Sequence, residues 1–474
     1  MKIRLSIRPI ATFLLTLLIL LPLSTGRTFA AGNPAIPINH FIVIVQENHS
    51  FDNYFGTFPG ANGIPAGTKL PQVPDGPAVL APFLATTTEP HDLSHTWLSA
   101  ALSYDNELMD GFYWAAYKPS AAYYGQAIVT PEPNRTLVKV VPVSSLSPTP
   151  TARSNNTEVL SPQGFIDDED ELTPDVGTQN ETLAIQQATS SSSPPTEPSW
   201  AINTVSYYDG TIIPNYWSYA QHYTLCDNFF SSLRADSQPN HLYIVAAQSG
   251  GICKNYVLPS SNSSLPKYSV YYLFPEIMDE LLQAGIGWKY YSGETDPQAE
   301  TLWNPLPGFS QITGNPAQLA NLVPTSQFYA DLENGSLPQI CWLIPSGSES
   351  EHPPADITVG MQYVAGLVNA VMQSQYWPSC AIVITWDDYG GFYDHVPPRQ
   401  TDKYGFGFRV PCLVISPYSL ANTVVHTQYD FTSILKLIET KFLLPSLTGR
   451  DSAANNMLDC FNFSQTPLPT DILQ

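Results

Sequence analysis

The sequence has few basic residues for its length. Lysine and arginine together number 19, against 41 aspartates and glutamates, and the formal net charge is -22. No basic stripe is present to meet phosphates over a long footprint, so the composition argues against a nucleic-acid partner. It leaves room for a small phosphate ligand, because a bound metal ion can reverse the sign of the charge locally.

Long apolar runs are confined to the N-terminus. Basic residues in the first eight positions precede the apolar stretch Phe13–Leu23, and small residues flank Phe29 beyond it. This layout predicts a secretory signal over residues 1–30, cut after Ala30 or Ala31. A retained membrane anchor is the alternative, but the stretch is shorter than the ~20 residues that a spanning helix needs. No twin-arginine pair is present, so we predict general secretory export and a secreted or cell-surface location.

No C-x-x-C pair occurs, which argues against a cysteine zinc site. The cysteines are widely spaced: Cys226, Cys253, Cys341, Cys380, Cys412 and Cys460. An oxidising compartment would allow disulfides among them, and Cys226 with Cys253 is our predicted local bridge. The alternative is buried thiols, since three of the six lie in or beside apolar runs.

Short apolar runs and helical patterns alternate along the chain. The predicted strands are His40–Val45, Gly287–Tyr291, Ile340–Ile344, Cys380–Trp386 and Val410–Ile415. The predicted helices are Pro275–Ala284, Val359–Gln375 and Phe431–Phe442, the last behind an Asp430 cap. The alternation predicts an α/β fold, a three-layer α/β/α sandwich whose mostly parallel central sheet is covered on both faces.

Residues 130–198 depart from this pattern. The segment is rich in serine, threonine, proline and acids, and includes DDEDE at Asp167–Glu171. Such a composition cannot bury enough apolar surface to offset its ordering entropy. We therefore predict a disordered acidic insertion within a single domain that covers residues 38–129 and 199–474.

Two predicted strands end in acidic residues. Glu47 and Asn48 follow the first strand, and Asp387 and Asp388 follow Cys380–Trp386. Adjacent carboxylates repel unless a cation lies between them, so these four residues are candidate ligands of a divalent metal ion. Their oxygen atoms favour Ca²⁺, Mg²⁺ or Mn²⁺, and nearby histidines leave Zn²⁺ open. The alternative for Asp387 and Asp388 is a solvated acidic turn.

Ser237 and several histidines are candidates for the reacting groups. Ser237 lies in DSQPNH, where a hydroxyl beside a metal ion would lose its proton more readily, although a serine here could be an ordinary turn residue. His91 and His95 would share one face if their stretch is helical, and a surface loop is our preferred interpretation for His91. His352 follows a predicted strand, and His395 follows the Tyr-Gly-Gly turn.

Together these motifs resemble a known family. The matching stretches are HFIVIVQENHSFDNYFG, HDLSHTW, MDGF, CDNFFSSLRADSQPNHLY, EHPPAD, WDDYGGFYDHVPP, RVPCLVISPYS, HTQYDFTSILKLIE and LTGRD. In this order they resemble the bacterial phosphoesterases that contain secreted phospholipases C and a secreted acid phosphatase, within the alkaline-phosphatase-like superfamily. The resemblance runs from about residue 38 to 455, except for the insertion.

The resemblance implies a role for each matching position. It makes the two acidic pairs metal ligands and Ser237 the nucleophile, and it places His95, His352 and His395 near the phosphoryl oxygens or the leaving group. The implied activity is phosphate ester hydrolysis through a phosphoseryl intermediate. A phospholipase C is favoured; an acid phosphatase and a non-catalytic cell-surface binding protein are the alternatives. The implied partners are a phospholipid or a small phosphate ester, with transient contact to a membrane surface.

The sequence departs from the family pattern at three places. The nucleophile motif usually reads Gly-Pro-Thr-x-Pro-Asn-Arg, whereas this chain ends it with His241. The first acidic motif usually continues with arginine rather than His49, and the second often reads Asp-Glu. The resemblance places two cationic side chains of the family pattern near the substrate, and both are absent from these motifs.

Overall fold

The computed structural model describes residues 32–117, 136–142, 199–256 and 268–473. Its strands are β1 (His40–Gln46), β2 (Leu70–Pro71), β3 (Ala78–Leu80), β4 (Phe83–Leu84), β5 (Val138–Pro142), β6 (Ser206–Tyr207), β7 (Thr224–Cys226), β8 (Phe229–Phe230), β9 (Tyr268–Tyr272), β10 (Trp288–Ser292), β11 (Leu322–Pro324), β12 (Ile340–Ile344), β13 (Cys380–Trp386), β14 (Cys412–Ile415), β15 (Thr423–Val425) and β16 (Tyr429–Asp430). Its α-helices are α1 (Phe51–Phe55), α2 (Trp97–Tyr104), α3 (Phe112–Ala115), α4 (Pro214–His222), α5 (Ser237–Ala246), α6 (Ile277–Ala284), α7 (Ser310–Thr313), α8 (Pro316–Leu319), α9 (Ser326–Asn334), α10 (Ile357–Met372), α11 (Phe431–Phe442) and α12 (Gly449–Ala453).

A central eight-stranded sheet organises the molecule. Its strand order is β11-β10-β12-β1-β13-β14-β7-β15. The pairs are parallel, except that β14 runs antiparallel to both β13 and β7. Seven strands therefore bring their C-terminal ends to one edge, and helices cover both faces. The predicted α/β architecture is confirmed.

The two central strands, β1 and β13, are buried along their length. From Phe41 to Val45, and again from Cys380 to Ile384, no side chain is more than 1% exposed. A strand covered on both faces needs apolar residues at every position rather than at every second one. This explains the continuous apolar runs in the sequence, and it makes the ends of these strands rigid.

The elements predicted from the sequence lie close to their predicted positions. Ile340–Ile344 and Cys380–Trp386 are strands with the predicted bounds, and Phe431–Phe442 is a helix with the predicted capping residue. The other predicted strands and helices are present with ends shifted by one to three residues. Helix α6 ends at Gly285, whose φ of +70° suits a residue without a side chain.

One prediction differs from the structure. Strand β5 lies inside the segment 130–198 that we predicted to be disordered, and it pairs antiparallel with β9. Its sequence, VKVVP, is rich in β-branched residues, which favour a strand even within a polar segment. Residues 143–198 lie outside the described residues. Residues 91–95 form a loop, as preferred for His91, because α2 begins only at Trp97. His91 and His95 therefore do not share a helical face.

The cysteines are all buried, and none forms a disulfide. The predicted Cys226–Cys253 bridge is wrong: the Sγ of Cys226 lies 3.7 Å from that of Cys460, whereas Cys253 contacts the carbonyl of Gly251. The spacing along the sequence could not reveal this, because the C-terminal segment passes beside β7 only in the folded chain. Among the described helices, none combines the length and apolar character needed to cross a bilayer.

Candidate active site

The ends of β1 and β13 bring the two predicted acidic pairs together. The strands are parallel neighbours, and Gln46 is level with Trp386 in their register. The next residues, Glu47 and Asp387, therefore leave the sheet side by side. Asn48 and Asp388 follow them. We call these four residues the candidate cation site.

Backbone contacts fix the positions of the four side chains. The N–H of Asn48 donates to Oδ1 of Asp387 at 2.9 Å, and the N–H of Asp387 donates to the carbonyl of Gln46 at 2.9 Å. Asn48 has a φ of +61°, a conformation that asparagine tolerates better than most residues. Gly390 packs so closely that a Cβ there would lie 2.1 Å from the Asn48 carbonyl oxygen. The glycine at position 390 thus allows the turn after β13 to pack against the backbone of Asn48.

The candidate cation site is buried and rich in negative charge. All four residues are fully inaccessible, so the solvated acidic turn that we considered for Asp387 and Asp388 is wrong. Burial raises the pKa of Glu47, and the neighbouring Asp387 and Asp388 raise it further. Burial and Asp387 likewise raise the pKa of Asp388. The fold therefore holds three carboxyl groups in a position where their charges repel.

A divalent cation fits this arrangement. Four buried oxygen atoms have no hydrogen-bond partner: Oε2 of Glu47, Oδ1 of Asn48, Oδ2 of Asp387 and Oδ2 of Asp388. Buried polar atoms are almost always satisfied, and carboxylate and amide oxygens are ligands that Ca²⁺, Mg²⁺ and Mn²⁺ prefer. Ligand atoms of Glu47, His241 and Asp387 also lie within 4.8 Å of one another. The histidine keeps Zn²⁺ among the candidates.

Ser237 lies at the start of α5, next to Glu47. It is 2% exposed, and its hydroxyl lowers the pKa of the Glu47 carboxyl. As the first residue of a ten-residue helix, Ser237 is also at the positive end of the helix dipole, which favours an anion. The structure thus brings the predicted nucleophile to the candidate cation site.

His241 is a site residue that the sequence analysis did not assign. It lies one turn along α5 from Ser237, and its Nε2 is 2.8 Å from Oε1 of Glu47. Burial lowers its pKa to about 4, so the ring is neutral and its buried Nδ1 has no partner. The i, i+4 spacing from Ser237 was the available signal, because residues four apart share one face of a helix.

His95 and His352 lie together beside Asn48. Nε2 of His95 is 3.4 Å from Nδ2 of Asn48, and the His95 and His352 rings are 6.2 Å apart between centroids. Burial lowers the pKa of His95, but Asp388, Asp92 and Asp236 outweigh it and raise the value to about 9. The surrounding carboxylates thus favour the protonated ring. His91 is exposed and packs against Trp200, as expected for a surface loop residue.

His395 belongs to a different cluster. Its Nδ1 is 2.7 Å from Oδ2 of Asp52 and its Nε2 is 3.3 Å from Oδ1 of Asn62. The buried Arg409 bonds to Asp52 and Asp394 in the same cluster. The structure therefore does not bring His395 to the candidate cation site, although it follows Asp387 by only eight residues. The intervening double-glycine turn directs the chain toward α1.

His49, the other departure from the family pattern, faces the interior. It is fully buried, its Nδ1 lies 2.7 Å from Oδ1 of Asn53, and its Nε2 is 3.2 Å from the carbonyl of Glu351. Burial lowers its pKa to about 4. His49 is thus a neutral ring that packs between Tyr54 and Phe392.

Comparison with known proteins identifies the family. The model of the phosphoesterase family matches residues 38–133 and 153–445. The chain belongs to the phosphoesterase family. It is accordingly a hydrolase that acts on phosphate ester bonds. The match to the phosphoesterase model breaks within the segment 130–198 and resumes at residue 153, so the extent of the insertion stays a prediction.

Relatives of this phosphoesterase occur in bacteria and plants. It is 25% identical to phospholipase C B of Mycobacterium tuberculosis (strain CDC 1551 / Oshkosh), over 91% of this chain and 79% of the relative. It is 26% identical to non-specific phospholipase C1 of Arabidopsis thaliana, over 57% of this chain and 54% of the relative. Among solved structures, a protein in the alkaline phosphatase superfamily from Vibrio parahaemolyticus aligns with 52% of this chain and 63% of its own, at 13% identity and a TM-score of 0.32.

Proposed function

We propose that this phosphoesterase is a secreted, metal-dependent phospholipase C that hydrolyses phospholipid head groups through a phosphoseryl intermediate on Ser237. The observation that carries the proposal is the candidate cation site itself. Its four partnerless oxygens are buried beside a serine at a helix N-terminus. The phospholipase C relatives support the choice of substrate. The predicted signal over residues 1–30 supports export to a compartment where lipid surfaces are accessible.

Glu47, Asn48, Asp387 and Asp388 would hold the cation, with His241 as an additional candidate ligand. A bound divalent cation would supply positive charge that lowers the pKa of an adjacent hydroxyl and draws charge from phosphoryl oxygens. The site residues fit that role because burial keeps water away from the carboxylates and fixes their spacing.

The remaining residues carry the reaction itself. Ser237 Oγ releases its proton to solvent and bonds to phosphorus while the bond from phosphorus to the alcohol oxygen breaks. The cationic His95, with His352 beside it, stabilises the developing negative charge and gives the departing oxygen its proton. Water then attacks phosphorus from the side opposite Ser237 Oγ and gives one proton to His95, which restores the protonated ring. The bond from phosphorus to Ser237 Oγ breaks, Ser237 regains a proton from solvent, and the phosphate leaves with the water oxygen.

A phosphomonoesterase is the second candidate, and His95 is the observation that favours it. A monoester carries one more negative oxygen than a diester, and a site that accepts it needs additional positive charge. His95, with a pKa raised to about 9, supplies one such charge. His49 and His241 favour the diester instead. Both positions carry arginine in the family pattern, and here both rings are neutral and buried, so neither adds positive charge.

The test compares two chromogenic substrates, p-nitrophenyl phosphorylcholine and p-nitrophenyl phosphate. Wild type, Ser237→Ala and a control, Ser416→Ala, are assayed before and after chelation and after metal is restored. Ser416 is also a buried serine, but it lies at the opposite edge of the sheet and donates to the carbonyl of Cys380. We expect diester hydrolysis that falls by at least about a thousandfold in Ser237→Ala and on chelation, and that persists in Ser416→Ala.

Each other outcome has a definite meaning. Preference for p-nitrophenyl phosphate would replace the phospholipase C proposal with the phosphomonoesterase. Full activity in Ser237→Ala, or in the chelated protein, would overturn the proposed mechanism. A phosphate adduct on the peptide that contains Ser237, trapped by acid quench and read by mass spectrometry, would support the covalent intermediate directly.

A further inference from the structure

Glu351 is a buried carboxylate that the proposed reaction does not use. It lies in the loop between β12 and α10, directly before His352, and is fully inaccessible. Four side chains donate to it: Tyr216 at 2.5 Å and Gln46 at 3.2 Å to Oε1, and Tyr54 at 2.7 Å and Trp386 at 3.0 Å to Oε2. Loops rarely contain a buried carboxylate whose two oxygen atoms both accept two hydrogen bonds.

The four donors connect Glu351 to both halves of the candidate cation site. Gln46 directly precedes Glu47, and Trp386 directly precedes Asp387. One carboxylate oxygen therefore bonds to the last residue of β1, and the other bonds to the last residue of β13. The two tyrosines, from α1 and α4, complete the coordination of each oxygen.

The backbone at Glu351 is held as firmly as its side chain. Its φ is +68°, which is a rare conformation for a residue with a side chain. Nε2 of His49 lies 3.2 Å from its carbonyl oxygen, and the carbonyl of the preceding residue, Ser350, accepts from the N–H of Glu47 at 2.9 Å. Gly360 of α10 leaves the space that the carboxylate arm occupies, because a Cβ there would lie 2.2 Å from Glu351 Cγ.

We propose that Glu351 is a positioning residue: its carboxylate links the ends of β1 and β13, and thereby sets the spacing of the cation ligands and the position of His352. This inference rests on the proposed function, because it assumes that the four candidate ligands hold a cation. Glu351 itself does not contact the substrate or the cation.

The test measures cation affinity directly. Metal-free wild type, Glu351→Gln and Asp331→Asn are titrated with Mn²⁺, Mg²⁺, Ca²⁺ and Zn²⁺ at a temperature where all three are folded. Asp331 is the matched control, since it is also a buried carboxylate with several donors, among them Lys289 and Tyr291, but it lies on α9. We expect Glu351→Gln to bind the preferred ion about tenfold more weakly, and Asp331→Asn to bind it like wild type.

A second pair of variants leaves every hydrogen-bonding group in place. Gly360→Ala forces the Glu351 arm to move, whereas Gly366→Ala in the same helix meets only the Tyr329 hydroxyl at 3.6 Å. Alanine raises helix propensity at both positions, so that effect cancels between them. The Cβ at position 360 also meets the Glu349 carbonyl oxygen at 2.8 Å, so urea denaturation of both variants accompanies the titration, and binding is compared where both are fully folded. We expect weaker cation binding and a lower kcat in Gly360→Ala alone. This pair decides the matter if Glu351→Gln does not fold.

The outcomes separate this inference from the proposed function. If wild type binds a cation and turns over substrate, and both Glu351→Gln and Gly360→Ala bind with wild-type affinity, the inference is overturned while the proposed function stands. An equal loss of affinity in Asp331→Asn or Gly366→Ala would also overturn it, because the effect would then be general. If wild type binds none of the four ions, the proposed function falls and the inference falls with it.

Discussion

At the scale of single residues, the carboxylates of the candidate cation site destabilise the metal-free fold. Glu47, Asp387 and Asp388 are fully buried, and burial with mutual repulsion raises the pKa of Glu47 and Asp388. A buried carboxylate without a cationic partner is destabilising, whereas a bound cation would convert the same repulsion into attraction. The free energy of unfolding should therefore be lower for the metal-free protein than for the metal-bound protein.

Replacing Asp388 should reveal this cost. Asp388→Asn removes one of the three like charges with little change in shape, so we expect the Tm of the metal-free protein to rise by about 2 °C or more. The same variant should lose both cation binding and turnover. Differential scanning calorimetry with and without metal provides the measurement.

The control for Asp388→Asn is the same chemical change at Asp331. That carboxylate is paired with Lys289 at 2.5 Å, so Asp331→Asn should lower the Tm with or without metal. A Tm for metal-free Asp388→Asn at or below that of wild type would contradict the proposed repulsion.

The sequence predicted most of these residues, and the exceptions have physical causes. The four candidate ligands could be recognised because parallel strands carry their C-terminal residues to one edge. His241 was missed because its helix was not predicted, so the i, i+4 relation to Ser237 was hidden. His395 was misplaced because proximity in sequence says nothing about direction after a turn with two glycines at positive φ.

At the scale of elements, the turn after β13 is as important as the strand. Gly390 has a φ of +59°, and its Cα lies against the backbone of Asn48. An alanine there would meet the Asn48 carbonyl oxygen at 2.1 Å and would also occupy an unfavourable conformation. The turn therefore holds the second half of the candidate cation site against the first.

Gly390→Ala should accordingly impair both stability and activity. We expect a loss of about 1 to 3 kcal/mol of stability from the backbone conformation, and a fall in kcat from the displaced Asn48. Gly449→Ala is the matched control, because a Cβ there meets nothing within 4 Å and its φ is not positive. Urea denaturation and steady-state kinetics on both variants test this. Wild-type kcat in Gly390→Ala would show that the turn does not position Asn48.

Strands with a continuous apolar run were predicted more accurately than a strand surrounded by polar sequence. β12 and β13 are buried on both faces, so their whole length is apolar and their ends are visible in the sequence. β5 has the same β-branched character, but its polar surroundings concealed it. The loop at residues 91–95 agrees with the interpretation preferred for His91, since helical spacing alone does not make a helix.

At the scale of the whole molecule, the thiols were the least predictable feature. Cys226 and Cys460 are far apart in sequence, yet their sulfur atoms are 3.7 Å apart. Pairing depends on the tertiary path of the chain, which no local pattern records. Burial raises the pKa of Cys341 and Cys380, so these thiols are poor nucleophiles in the folded state.

We therefore expect thiol reactivity to report on unfolding. A thiol reagent should react slowly with the native protein purified without reductant, and should titrate all six cysteines after denaturation. A fully reduced sample is the control. Fewer than six thiols in the denatured, unreduced protein would mean that a disulfide forms after export, and Cys226 with Cys460 would be the first pair to examine by peptide mapping.

The pairing of β1 with β13 also sets when the protein can become active. Asn48 and Asp387 are joined by a hydrogen bond across 339 positions of sequence. A ribosome must therefore make more than four-fifths of the chain before the second acidic pair exists to meet the first. An unfinished or truncated chain that lacks β13 would carry Ser237 without its cation ligands. Under the proposed mechanism, hydrolytic activity would therefore require β13 and would be absent from the nascent chain.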